Sequence, residues 1–161
     1  RSPSAHGMFG TTNERGFSDF LTGNDDIAQL VKETDVANLS LMTAGRTPPS
    51  AAELLSTDRA SLMVQKLLER YDHVVVDAPP MLGLADAPLL SRALEGVIYV
   101  IEARGVPARG INISLERLYD SNAHLLGAIM TKFSGKDSSQ YGYGYGYGYG
   151  LSYGRHDEQV D

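Results

Sequence analysis

The chain has no cysteine and no tryptophan among its 161 residues, no cluster of basic residues, and no apolar run long enough to cross a bilayer. Without cysteine there is no disulfide framework and no thiolate zinc site. The four histidines, His6, His73, His124 and His156, lie too far apart in sequence to make a local metal motif. Charge amounts to 14 Lys and Arg against 20 Asp and Glu, a net of −6. That balance lacks the phosphate-neutralising surface a nucleic-acid binder needs, so no nucleic-acid partner is expected. A membrane span needs about 20 consecutive apolar residues, and no run approaches that. The opening Arg1-Ser2-Pro3-Ser4 resembles neither a signal peptide nor an initiator start. A reducing, cytoplasmic compartment and an origin as a fragment or processed product of a longer protein are the expectations.

What is present is 42% apolar residues, enough for the core of one domain of ordinary size. Short apolar runs alternate with stretches of helical spacing, the pattern of a parallel-sheet α/β fold. Four strands are predicted: 39–42, 73–77, 97–101 and 125–130. The β-branched content of the second and third predicts central strands covered on both faces. Ser50-Ala51-Ala52-Glu53 reads as a capping box that starts a helix. Asp58 is placed to cap a second helix running to Tyr71 and burying Leu62, Met63, Leu67 and Leu68. A third, Ala108 to Tyr119, presents Ile111, Leu115, Leu118 and Tyr119 to the core. From Ser134 the character changes to polar residues and then to Tyr-Gly repeats, so the domain is expected to cover 1–135 and a flexible Tyr/Gly tail 136–161.

The sharpest local signal is Val74-Val75-Val76-Asp77-Ala78-Pro79-Pro80, an apolar strand that ends in a carboxylate and is stopped by two prolines. Ligands of parallel sheets bind beyond the carboxyl ends of strands. Asp77 there resembles a Walker B carboxylate, which holds Mg²⁺ beside nucleotide phosphates. The other role open to it is to accept hydrogen bonds from turn amides before Pro79. Asp86 is placed to cap the helix that contains Pro88, or to contribute to the metal surroundings. A Gly-x-x-x-x-Gly-Lys phosphate loop followed by Ser or Thr is absent: the sole Gly-Lys pair, Gly135-Lys136, precedes Asp137. Either the chain binds no nucleotide or such a loop lies upstream of Arg1. His6 has a local structural role open to it, and Arg46 is either a solvated loop charge or a partner contact.

Taken in order, these motifs resemble the catalytic domain of the bacterial protein-tyrosine kinases that regulate capsule and exopolysaccharide export, within the P-loop group of MinD and ParA types. Arg1-Ser2-Pro3-Ser4-Ala5-His6-Gly7-Met8-Phe9 is similar to the family's Arg-x-Pro-x-x-His-x-x-Phe, which follows its Asp-x-Asp motif. Gly16 to Gly23, Asn38 to Gly45, Pro48-Pro49, Glu53-Leu54-Leu55 and Tyr71-Asp72 through Asp86-Ala87 match further stretches. Departures are Ser50-Ala51 for Asn-Pro, Ala78 for a hydroxyl residue, and Thr131 for Asn.

The resemblance implies a P-loop NTPase-like sandwich lacking its N-terminal phosphate-loop strand and helix. It implies ATP and Mg²⁺ as cofactors of the complete domain, with Arg1 and Asp77 facing the nucleotide and Asp77 as metal ligand and catalytic carboxylate. It also implies transfer of the γ-phosphoryl group to a tail tyrosine cluster in a neighbouring subunit: Tyr141, Tyr143, Tyr145, Tyr147, Tyr149 and Tyr153. Six phosphates would add about 9 to 12 negative charges, a load able to separate tail-linked subunits. Implied partners are a membrane polysaccharide co-polymerase or activator, further copies of the chain in a homo-oligomer, and a tyrosine phosphatase. The implied location is the inner face of the cell membrane. Lacking the phosphate loop, the chain alone is expected to be inactive. Two other readings remain open: a MinD- or ParA-like ATPase, and a non-catalytic scaffold presenting the tyrosine tail. On composition alone the tail is also a self-stacking tyrosine stripe.

Overall fold

In the computed structural model residues 3–133 are described. The elements follow in the order α1 (Ala5–Met8), α2 (Phe17–Leu21), α3 (Ile27–Leu30), β1 (Val31–Glu33), β2 (Ser40–Met42), α4 (Ala51–Leu55), α5 (Arg59–Leu68), α6 (Asp86–Ser91), β3 (Val97–Glu102), α7 (Ala108–Asp120) and β4 (Leu125–Thr131). The chain through Thr131 forms one compact unit.

The core is built on α5, whose Ala60, Met63, Val64 and Leu67 are buried. Their spacings of three, one and three put them on one stripe of a 3.6-residue helix. Met63, Val64 and Leu67 pack with Phe20, Ile27 and Leu30, while Ala60 packs with Leu21, Leu55 and Leu90. Leu62 and Leu68, expected inside, lie off that stripe and are exposed. In α7 the same geometry buries Ser114 and Leu118. Tyr119 is turned about 100° from Leu118 and is 84% exposed, contrary to expectation.

Neither predicted cap forms. Ser50 and Asp58 occupy the N-cap positions of α4 and α5 without a side-chain cap bond. Asp58 has φ −68° and ψ −3°, already helical, whereas capping needs the preceding residue in the extended region. The expected run of the second helix to Tyr71 is also shortened, with Glu69 as its C-cap. Asp86 is the first residue of α6, with Ala85 at the N-cap position, and it is buried.

β3 and β4 pair in parallel through α7, with Ile98 opposite Gly127 and Glu102 opposite Thr131, which is the predicted strand-helix-strand unit. The other predicted strands behave differently. β2 pairs antiparallel with β1, a strand not foreseen, with Val31 opposite Met42 and Glu33 opposite Ser40. Residues 73–77 are in no strand, because no ladder partner lies beside them among the described residues. Coverage of the third strand on both faces also fails: Ile98 and Val100 are 54% and 58% exposed, and β4 is exposed along its whole length.

Candidate functional site

Residues 73–77 alternate about the core. Val74 and Val76 pack against the two buried clusters, while His73, Val75 and Asp77 face outward, Val75 being 93% exposed. Pro79 and Pro80 then carry no amide proton with which a ladder could continue. Asp77 thus stands exposed where an apolar run ends, the position read for it from the sequence.

The segment forms one wall of a cavity of about 770 Å³, to which Asp77 contributes. Residues 38–44 line it as well, and Phe17, Met63, Leu67 and Tyr71 make much of its lining apolar. His6 and Asn13 also line it, and the buried Nδ1 of His6 has no hydrogen-bond partner among the described residues.

A clamp fixes the wall formed by 38–44. Phe17 N donates to Thr43 O at 2.8 Å and Ser18 N to Ala44 O at 2.9 Å. Asn13 closes a two-way bridge, its Nδ2 donating to Gly45 O at 2.8 Å and its Oδ1 accepting from Gly45 N at 3.0 Å. Thr43 Oγ1 donates to Arg15 O at 2.8 Å, and Asp19 Oδ2 accepts from Gly16 N at 2.8 Å. Two glycines permit this. A Cβ on Gly16 would lie 1.9 Å from Thr43 O, and Gly45 has φ +75° with Ser18 Oγ only 2.4 Å from where its Cβ would be. Asn13 and Thr43 carried no signal in the sequence, since their partners are backbone groups more than 25 residues away.

Beside the clamp, the Arg59 guanidinium lies 4.5 Å over the Phe20 ring, donates to Phe20 O and pairs with Asp25. The hydrogen bond from Arg59 holds the Asp25 carboxyl below its ordinary value.

Asp86, the second candidate carboxylate, does not line the cavity. Among the described residues no three His, Asp or Glu side chains converge as a metal site. Asp77 alone therefore fits one oxygen ligand of a Mg²⁺ ion, which commonly takes one or two protein carboxylates and completes its shell with phosphate oxygens and water. Arg1 and the tail tyrosines Tyr141, Tyr143, Tyr145, Tyr147, Tyr149 and Tyr153 lie outside the described residues. Within the described residues no helix is long and apolar enough to cross a membrane.

No family model matches the chain. It is 31% identical over 139 residues to the tyrosine-protein kinase etk of Escherichia coli K12, a match covering 86% of this chain and 19% of that protein. To the putative tyrosine-protein kinase CapB of Staphylococcus aureus it is 31% identical over 144 residues, covering 89% of this chain and 63% of the other. To the tyrosine-protein kinase YwqD of Bacillus subtilis it is 32% identical over 143 residues, covering 89% and 60%. Among solved structures it resembles the kinase domain of the Escherichia coli tyrosine kinase ETK, with TM-score 0.75 and 28% identity over 91% of this chain and 57% of that one. The chimerical protein CapA2B2 is similar at TM-score 0.75 and 27% identity, over 81% and 57%. The chain thus spans less than two thirds of the length of each of these proteins.

Proposed function

We propose that this chain, whose homologues are bacterial tyrosine-protein kinases, is the C-terminal portion of a tyrosine autokinase that phosphorylates its own tail and regulates polysaccharide export. The observation that carries the reading is the state of residues 73–77. Among the described residues this apolar extended segment has no ladder partner; it borders a large cavity and ends in an exposed carboxylate. Central strands of parallel sheets are paired on both edges and covered on both faces. A further segment carrying a phosphate loop and its strand would supply what this segment lacks, and the exposed Val75, Ile98 and Val100 supply apolar surface for it to cover.

In the completed domain Asp77 would serve as a catalytic carboxylate and a ligand of Mg²⁺, with Arg1 on the nucleotide side. Bound Mg²⁺ neutralises phosphate charge. The chain's own contribution is an exposed carboxylate where an apolar extended run ends and a wall held by the Asn13–Gly45 clamp. The acceptors are the hydroxyls of Tyr141, Tyr143, Tyr145, Tyr147, Tyr149 and Tyr153. Small flanking residues in the sequence suit each phenol to entry into a neighbouring subunit, with a homo-oligomer as the working form. A membrane-bound polysaccharide co-polymerase would hold the enzyme at the inner face of the membrane, and a tyrosine phosphatase would reset the tail.

The test is phosphotyrosine mapping by mass spectrometry on protein taken from its native host, with and without phosphatase treatment, together with calorimetry of the isolated chain. Phosphate on several tail tyrosines and weak binding of Mg-ATP by the chain alone are expected. A tail left unmodified during active polysaccharide export would overturn the autokinase, and tight ATP binding by the isolated chain would overturn the incomplete domain.

A further inference from the structure

We infer that Tyr119, on the folded domain rather than in the tail, is an additional phosphoacceptor of the kinase proposed above, an inference that rests on that reading. Of the three described tyrosines, Tyr71 and Tyr99 are half-buried, and Tyr119 alone is open, at 84% exposure. Its hydroxyl makes no hydrogen bond among the described residues, so nothing has to be broken for the oxygen to react.

The position in the helix favours presentation. Tyr119 is the penultimate residue of α7, and the chain leaves the helix through Asn122 in a left-handed conformation at φ 57°. The last turn is held by Ser121 N donating to Arg117 O at 3.1 Å, Asn122 N to Tyr119 O at 2.9 Å and Ala123 N to Leu118 O at 3.0 Å. Terminal turns open at far lower cost than helix interiors. Leu118, 2% exposed, anchors the turn from the inner side while Tyr119 projects outward.

In the step itself the phenolic oxygen bonds to the γ-phosphorus of ATP, the bond from that phosphorus to the β,γ-bridging oxygen breaks, ADP leaves, and the phenolic proton passes to a base or water. The product places about 1.5 to 2 negative charges beside Glu116 and Asp120 and at a helix C-terminus, where the macrodipole already opposes anions. Phosphorylation therefore loosens the turn that brings Ser121 Oγ to 3.3 Å from Ser91 Oγ of α6.

The experiment uses the complete kinase containing this chain, stripped by phosphatase, given ATP labelled at the γ-phosphate, and digested with trypsin. Tyr119 falls in the peptide 118–132 and the tail tyrosines in 137–155, so the two sites are read separately. Label on 118–132 that drops to background in Tyr119→Phe, with tail label retained, is the expected result. A labelled tail with an unlabelled 118–132 peptide overturns the inference and leaves the autokinase standing. Absence of label from every tyrosine overturns both.

Discussion

Replacing Gly16 by Ala tests the clamp that holds the cavity wall. The backbone of Gly16 is extended, at φ 173°, so conformation is not the obstacle. The obstacle is distance, because the new methyl would sit 1.9 Å from Thr43 O and 2.8 Å from Gly45 N, both backbone atoms with no rotamer by which to yield. The two segments of the clamp must separate, which lengthens or breaks the bonds from Phe17 N to Thr43 O and from Ser18 N to Ala44 O. Each such bond contributes about 0.5–1.5 kcal/mol net. Forcing a methyl into a closed space adds about 1–3 kcal/mol. The two bonds and the methyl together come to roughly 2–6 kcal/mol, which at a urea m-value of about 1–3 kcal/mol/M moves the unfolding midpoint down by about 0.7 M or more. Gly127→Ala is the control, since nothing lies within 4 Å of its added Cβ, and a change within about 0.5 kcal/mol is expected there. A Gly16→Ala midpoint within about 0.3 M of the parent, at unchanged m-value, would refute the reasoning.

Phe20→Ala removes a fully buried ring at the centre of the core and should cost about 3–5 kcal/mol in chemical denaturation, together with the stacking of Arg59. The Asp25 carboxyl, held low by Arg59, contributes stability that is complete above its ordinary value of 3.8 and is lost as pH falls through its lower folded-state value. Carboxyl carbon NMR should show that value return to the ordinary range in Arg59→Ala. In the complete kinase, the proposed metal role of Asp77 makes Asp77→Asn lower tail phosphorylation by about 100-fold or more, and the exposure of the carboxylate leaves the urea midpoint unchanged.

The strand-helix-strand unit of β3, α7 and β4 was legible because its periodicities are local: two short apolar runs flank a helix whose inward residues recur at turn spacing. The prediction of residues 73–77 as a strand used the same information and failed for a different reason. Composition makes a segment extended, but a strand also needs an edge to pair with, and that edge comes from elsewhere in the chain. The inward set of α5 was misread at Leu62 and Leu68 because hydrophobicity alone does not fix which stripe faces the core. Met63, Val64 and Leu67 do, through Phe20 and Leu30. The strand expected to carry Asp77 did not form, but that the apolar run stops after it was readable from two prolines. The clamp behind it was not, since Asn13 and Thr43 act on backbone atoms brought near only by folding.

The exposure of β4 along its whole length sets how the chain must be handled. An apolar ribbon with Leu126, Ile129 and Met130 open to water is a template onto which another extended chain can add. Net charge of −6 slows such encounters at low ionic strength and loses its effect as salt screens it. Solubility of the chain should therefore fall steeply with added salt, and light scattering at rising concentration should report growing assemblies whose seeding surface is this sheet rather than the tyrosine tail.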